Sequence, residues 1–316
     1  MQQVMGAHAR GFFIAMCVEL GAYGAYLIHG LISGREALPL LGRILLIFVA
    51  IRAVLVALNF LQTWLACSPR EPAHRIGPLA TLRLYLNELV AALWTYPFYF
   101  ALEPWLVPNA PQPGLPHEGP PIILIPGFLC NRGYFGRFRR YLARHGYGQT
   151  YAVSLEPIFG SIEANAEHLA RFAEEVCSET GQDRVILIGH SMGGVVIRVY
   201  LDRLGGERRV ARAIAIGSPF GGTVLAKGAS ALGENLQQLV LGNDWLVDLK
   251  AREDRPCAVP FTAIWSPHDS IVAPQAGTTV NESYGRNIAL PGVGHMERIT
   301  SRPVLETVLS ELRRGS

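Results

Sequence analysis

The chain has 316 residues, half of them hydrophobic and 17% charged, with a formal net charge of +3. This is too apolar for an ordinary soluble enzyme of its length, and the excess lies in the first 107 residues. The arginines are scattered without a long basic run, which argues against a nucleic-acid partner. The five cysteines, Cys17, Cys67, Cys130, Cys177 and Cys257, show neither metal-ligand spacing nor a dense disulfide framework, and they leave the redox compartment undecided.

Residues 11–33 form a nearly unbroken apolar stretch, interrupted by Glu19 and His29 and long enough to cross a bilayer at 1.5 Å per residue. Arg10 precedes it, as in a signal peptide. The run is longer than a usual signal core and lacks a small-x-small exit, so a retained anchor is expected. Residues 40–67 are a second candidate span with Arg52 near the middle. A charge facing lipid there is costly, so Arg52 should face another helix, pair with an acid such as Glu19 or Glu88, or snorkel. Residues 84–107 are the third and weakest candidate. Asn87, Glu88, Pro97, Glu103 and Pro104 make this segment either a bundle-facing span or an interfacial helix. The densest positive charge, Arg70, Arg75 and Arg83, lies between the second and third segments, which places that loop and the amino terminus in the cytoplasm. Three spans then put the remainder outside, in the periplasm of a bacterium, whereas two spans keep it on the cytoplasmic face. The competing reading is a soluble helical domain.

Seven prolines fall within residues 103–121, and residues 108–120 are expected to be a stiff, extended linker between a membrane region (1–107) and a second domain (121–316). From Pro121 the pattern changes to alternating strands and helices. Strands are expected at 122–125, 150–155, 185–188, 210–216, 261–265 and 287–290. Helices are expected at 134–144, 162–180, after residue 191, and at 304–313. This alternation predicts a mostly parallel sheet covered on both faces.

Gly189-His190-Ser191-Met192-Gly193 joins one of these strands to the following helix. A serine hydroxyl attacks well only when a base can take its proton, so Ser191 must stand clear of the sheet on a strained turn. Such a turn tolerates almost no side chain two residues to either side, and here those residues are Gly189 and Gly193. His295, in a glycine-rich loop after the last short strand, is the candidate base. Asp269, after the strand at 261–265, is the candidate orienting acid at the carboxyl edge of the sheet. Asp269 also fits an ordinary turn aspartate. His190 should point away from Ser191. Attack creates an oxyanion that needs two backbone donors, assigned to the amides of Met192 and Phe128, with Gly127 allowing close approach.

The segments ILIPGFLCNRGYF, VILIGHSMGG, AIGSPFGGT, SPHDSIVAP and GVGH, in this order, resemble the α/β-hydrolase superfamily, specifically its bacterial lipase and esterase branch. The likeness spans residues 120 to about 312 and leaves out the amino-terminal helices. It implies an α/β-hydrolase fold and ester hydrolysis through an acyl-enzyme on Ser191, without metal or cofactor. Many relatives carry His-Gly where this chain has Pro126-Gly127, a small departure because the donors there are backbone groups.

The expected activity is therefore membrane-anchored hydrolysis of a lipid ester, a phospholipid or acylglycerol, with substrate and bilayer as partners. Residues 154–160 and 218–249 lie where loops would line an acyl pocket. An acyltransferase or thioesterase with the same three residues, a catalytically silent membrane scaffold, and a soluble enzyme with a helical lid are the alternatives.

Overall fold

The computed structural model describes residues 6–108, 111 and 114–314. It begins with two long helices, α1 (Ala7–Ile32) and α2 (Ala37–Leu65), followed by α3 (Pro78–Trp94), which continues through a π-helical turn, Thr95–Phe100, and the short α4 (Glu103–Leu106). Of the helices described, α1 and α2 are long and apolar enough to cross a membrane. Their side chains are turned outward rather than into a core, with Ile14, Val18 and Ile28 on α1 and Leu45, Leu46, Val54 and Leu61 on α2 all exposed.

Arg52 pairs with Glu19 across the α1–α2 interface, both guanidinium nitrogens lying 2.6 Å from the carboxylate oxygens. The arginine also lies over the Phe48 ring, 3.9 Å from its centroid. Glu88, the other acid considered for Arg52, points elsewhere.

The third apolar segment is helical from Pro78, and its α-helix gives way after Trp94 to a π-helical turn that contains Pro97, as expected where a proline removes a helical donor. Leu84, Glu88 and Ala92 share one buried face of α3 at four-residue spacing.

Just before the expected linker, Glu103 is buried and pairs with Arg132, and the linker's far end is strapped down by Glu118 N–H to Gly146 O (2.9 Å) and Gly148 N–H to Pro116 O (2.8 Å). Linker residues 109, 110, 112 and 113 lie outside the described residues.

The remainder is one six-stranded parallel sheet made of β1 (Ile122–Ile125), β2 (Thr150–Ala152), β3 (Val185–His190), β4 (Val210–Ile216), β5 (Phe261–Trp265) and β6 (Arg286–Ala289), in spatial order β2-β1-β3-β4-β5-β6. Its strands read as continuous apolar runs because both faces are covered. Ile123, Ile125 and Leu187 face one core with α6 (Ile162–Thr180) and α7 (Met192–Arg203). Ile122, Leu124, Ile186 and Ile188 face the other with α5 (Gly136–Arg144) and α11 (Arg302–Arg313). Between β4 and β5 the chain forms three short helices, α8 (Val224–Ala229), α9 (Glu234–Gln238) and α10 (Asp244–Ala251).

The second strand stops at Ala152 rather than residue 155, although Val153 N–H still bonds Leu124 O at 3.1 Å. The helix expected from residue 134 begins as a 3-10 turn, Arg132–Phe135.

Candidate active site

The loops after β1, β3, β5 and β6 all leave the carboxyl edge of the sheet, where open parallel sheets gather their sites. The β3–α7 turn is sharp. Ser191 has φ 55° and ψ −127°, a conformation that costs a non-glycine residue of order 1–3 kcal/mol and persists only under surrounding constraint. The constraint comes from packing. A Cβ on Gly189 would lie 2.6 Å from the carbonyl carbon of Gly193, and one on Gly193 would collide with the Ile125 carbonyl oxygen. Ser191 N–H bonds Ile216 O at 2.9 Å, tying the turn to β4. Among the described residues the Ser191 hydroxyl has no hydrogen-bond partner, and the side chain is only partly buried.

Asp269 and His295 come together from the loops after β5 and β6. Nδ1 of His295 lies 3.0 Å from both carboxylate oxygens, and both residues are buried. Asp269 Oδ1 also accepts from the amides of Ile271 (2.9 Å) and Val272 (2.8 Å), which hold the carboxylate in place. Burial by itself would raise this carboxyl. The Arg298 guanidinium, His295 and the Val272 amide outweigh it and hold the group well below the usual carboxylate range.

Arg298 is the residue that the sequence did not single out. Its Nη2 stands 2.7 Å from Asp269 Oδ2, a close ion pair not aligned as a hydrogen bond, and its Nε donates to Gly294 O at 3.1 Å. The room for the guanidinium is provided by Gly217 at the end of β4, where φ is +60° and a Cβ would collide with Arg298 Nη1. Within the sequence, Arg298 was one arginine among many beside a terminal helix.

On the oxyanion side, Gly127 lies against the nucleophile turn, where a Cβ would stand 2.8 Å from Ser191 Cβ. Phe128 and Leu129 form the tip of a turn closed by Cys130 N–H to Gly127 O (3.1 Å), with Leu129 at φ 53°. The amides of Phe128 and Met192 have no hydrogen-bond partner among the described residues, so both donors are free at this edge.

His190 is buried against the Tyr134 and His295 rings, and its Nε2 lies 3.2 Å from the His295 carbonyl. Burial, aided by His295 and Arg298, pushes it well below its ordinary value, so it is neutral. His268 accepts from Gly292 N–H at 3.1 Å, and burial together with Arg70 and His74 lowers it to about 4.

The amino-terminal region reaches this site. Glu88 of α3 accepts a hydrogen bond from the Ser270 hydroxyl and another from Glu297 N–H at 2.8 Å. Ser68 and Arg70, beyond α2, bond Gln275, Ala276 and Pro267 near the Asp269 loop. Among the described residues no three His, Cys, Asp or Glu side chains cluster as a metal site.

The family model described as the alpha/beta hydrolase fold matches residues 120–255. A lipase of Bacillus licheniformis, BlEst2, is similar in structure. Its mature form superposes with a TM-score of 0.57 at 16% identity, covering 64% of this chain and 96% of that one. Its propeptide form does so with 0.54 at 18% identity, covering 63% and 52%. At these identities the likeness is one of fold. The chain therefore has the α/β-hydrolase fold, matched over residues 120–255, the part that carries Ser191, and consistent with the six-stranded parallel sheet.

Proposed function

We propose that this protein is a membrane-anchored serine ester hydrolase acting on acyl esters of lipids. Ser191 attacks the ester carbonyl, His295 takes the hydroxyl proton and returns it to the leaving alcohol, and Asp269 keeps the imidazole oriented and supports its positive charge. The amides of Phe128 and Met192 receive the oxyanion. A water activated by the same imidazole then releases the acid. The observation that carries this reading is the hydrogen-bonded His295–Asp269 pair (3.0 Å) at the same sheet edge as a serine strained to φ 55°.

The surface of α1 and α2 supports a lipid substrate. Large apolar side chains cover both helices, an arrangement that water disfavours and a bilayer satisfies. With α3 tied through Glu88 to the loops after β5 and β6, two spans remain. The arginine-rich segment after α2 then supports a hydrolase domain on the cytoplasmic face.

The test is hydrolysis of short- and long-chain acyl esters and of phospholipids by detergent-purified protein, beside Ser191→Ala. Turnover in the wild type that disappears in the variant, with fluorophosphonate labelling of Ser191, is the expected result. An inert wild type that resists labelling would sink the reading. Product analysis with an added alcohol separates hydrolysis from acyl transfer.

A further inference from the structure

Glu88 stands at the centre of the buried face of α3, between Leu84 and Ala92. For packing alone an apolar side chain would serve there, and a buried carboxylate is expensive unless several donors meet it. Glu88 is met on both oxygens, by the Ser270 hydroxyl and by Glu297 N–H at 2.8 Å. The identity of the residue is thus matched to partners that are far away in sequence.

Those partners bracket the candidate catalytic pair. Ser270 follows Asp269 directly, and its oxygen accepts from His295 N–H at 3.2 Å while its proton goes to Glu88. Glu297 lies two residues after His295 and accepts from Gly294 N–H at 3.0 Å. Gly294, just before His295, leaves the space that Glu88 fills, since a Cβ there would collide with the carboxylate. A single side chain from the amino-terminal region therefore orients the hydroxyl beneath His295 and fixes the loop on either side of it.

We propose that Glu88 is a positioning residue for the reaction. By this reading α3 is a structural part of the active site, and the hydrolase domain is complete only when α3 is docked on it. The proposal rests on the reading of Ser191, Asp269 and His295 as a catalytic triad. Through Ser270, Glu88 sets where the imidazole stands relative to the serine, and small errors in that placement are costly because catalysis depends on near-attack geometry.

The experiment compares full-length wild type, Glu88→Leu, Glu88→Gln, Ser270→Ala and the double variant Glu88→Leu/Ser270→Ala on a water-soluble acyl ester, with thermal unfolding measured for each. Glu88→Leu keeps the apolar stripe and removes both acceptors, and kcat should fall ~10–100-fold with KM nearly unchanged. Glu88→Gln keeps one carbonyl acceptor and should recover much of the loss. The double variant should be no worse than the poorer single one, because both act through one chain of hydrogen bonds. A folded Glu88→Leu with wild-type kcat, or losses that simply add in the double variant, would overturn the proposal. If Glu88→Leu does not fold, the kcat losses of Glu88→Gln, Ser270→Ala and their double variant decide by the same non-additivity. A wild type that neither turns over esters nor labels at Ser191 would instead refute the triad itself.

Discussion

Arg298 Nη2 stands 2.7 Å from Oδ2 of Asp269, and both side chains are almost fully buried. The aspartate thus faces two cationic or potentially cationic partners, Arg298 and His295, and its charge is fixed by both. Removing the arginine leaves a buried carboxylate short of a counter-charge, which typically costs about 3–5 kcal/mol. Arg298→Met should lower unfolding stability by an amount of that order, read from denaturant titration. Arg298→Lys should not restore it, because a single ammonium cannot reach both Asp269 and the Gly294 carbonyl as the planar guanidinium does. Unchanged midpoints would show that the pair contributes nothing.

Gly127→Ala should leave the protein folded but damage turnover. The new methyl would lie 2.8 Å from Ser191 Cβ, so the loop must retreat and carry the Phe128 amide with it. Loss of one oxyanion donor typically lowers kcat by about 10²–10³. Steady-state kinetics on a soluble ester would register the drop in kcat at nearly constant KM. Wild-type kcat in this variant would exclude the Phe128 amide as a donor.

Glu297 gives a pH signature. Burial, with Glu88 adding to it, raises its carboxyl from 4.5 to about 7. Between those values the unfolded chain has released the proton and the native state still holds it, so this group makes stability fall as pH rises, by roughly 3 kcal/mol across the window. His190 and His268 are lowered, and each contributes the opposite slope over part of the same range. The quantity to measure is therefore the difference between wild type and Glu297→Gln. The variant should lose the decline between about pH 4.5 and 7, and parallel stability curves would contradict the assignment.

In the paired helices, Glu19 and Arg52 should behave as a unit. Removing either one strands the other in an apolar setting, whereas replacing both leaves none to satisfy. Glu19→Leu and Arg52→Leu should each lower thermal stability in detergent, and the double variant should exceed both. A double variant whose loss equals the two single losses combined would rule out the coupling.

Much of the sheet was legible because its strands announce themselves locally. Ile122, Ile123, Leu124 and Ile125 alternate between two cores, and so produce an unbroken apolar run that only a doubly covered strand explains. The turn at Ser191 was legible for a similar reason. A Cβ on Gly189 would meet Gly193, so that requirement is encoded within one short segment, whereas Gly193 makes room for the Ile125 carbonyl of β1. The third apolar segment was harder to read, since composition reports apolarity but not what covers it. Its buried face carries Glu88, which bonds the loops after β5 and β6, and its α-helix gives way to a π-helical turn that contains Pro97.

By itself, then, the sequence determined the features whose causes lie within about one turn or one strand: the alternation of strands and helices, the two apolar helices and the glycine-framed serine. The tertiary structure decided which distant groups meet. Arg52 chose Glu19, Glu88 went to Ser270 and the Glu297 amide, and Arg298 reached Asp269 over Gly217. The physical reason is that a charge carries no address in sequence. Its partner is set by which loops the order of strands brings to one edge of the sheet, and by which buried position leaves it no other way to be satisfied.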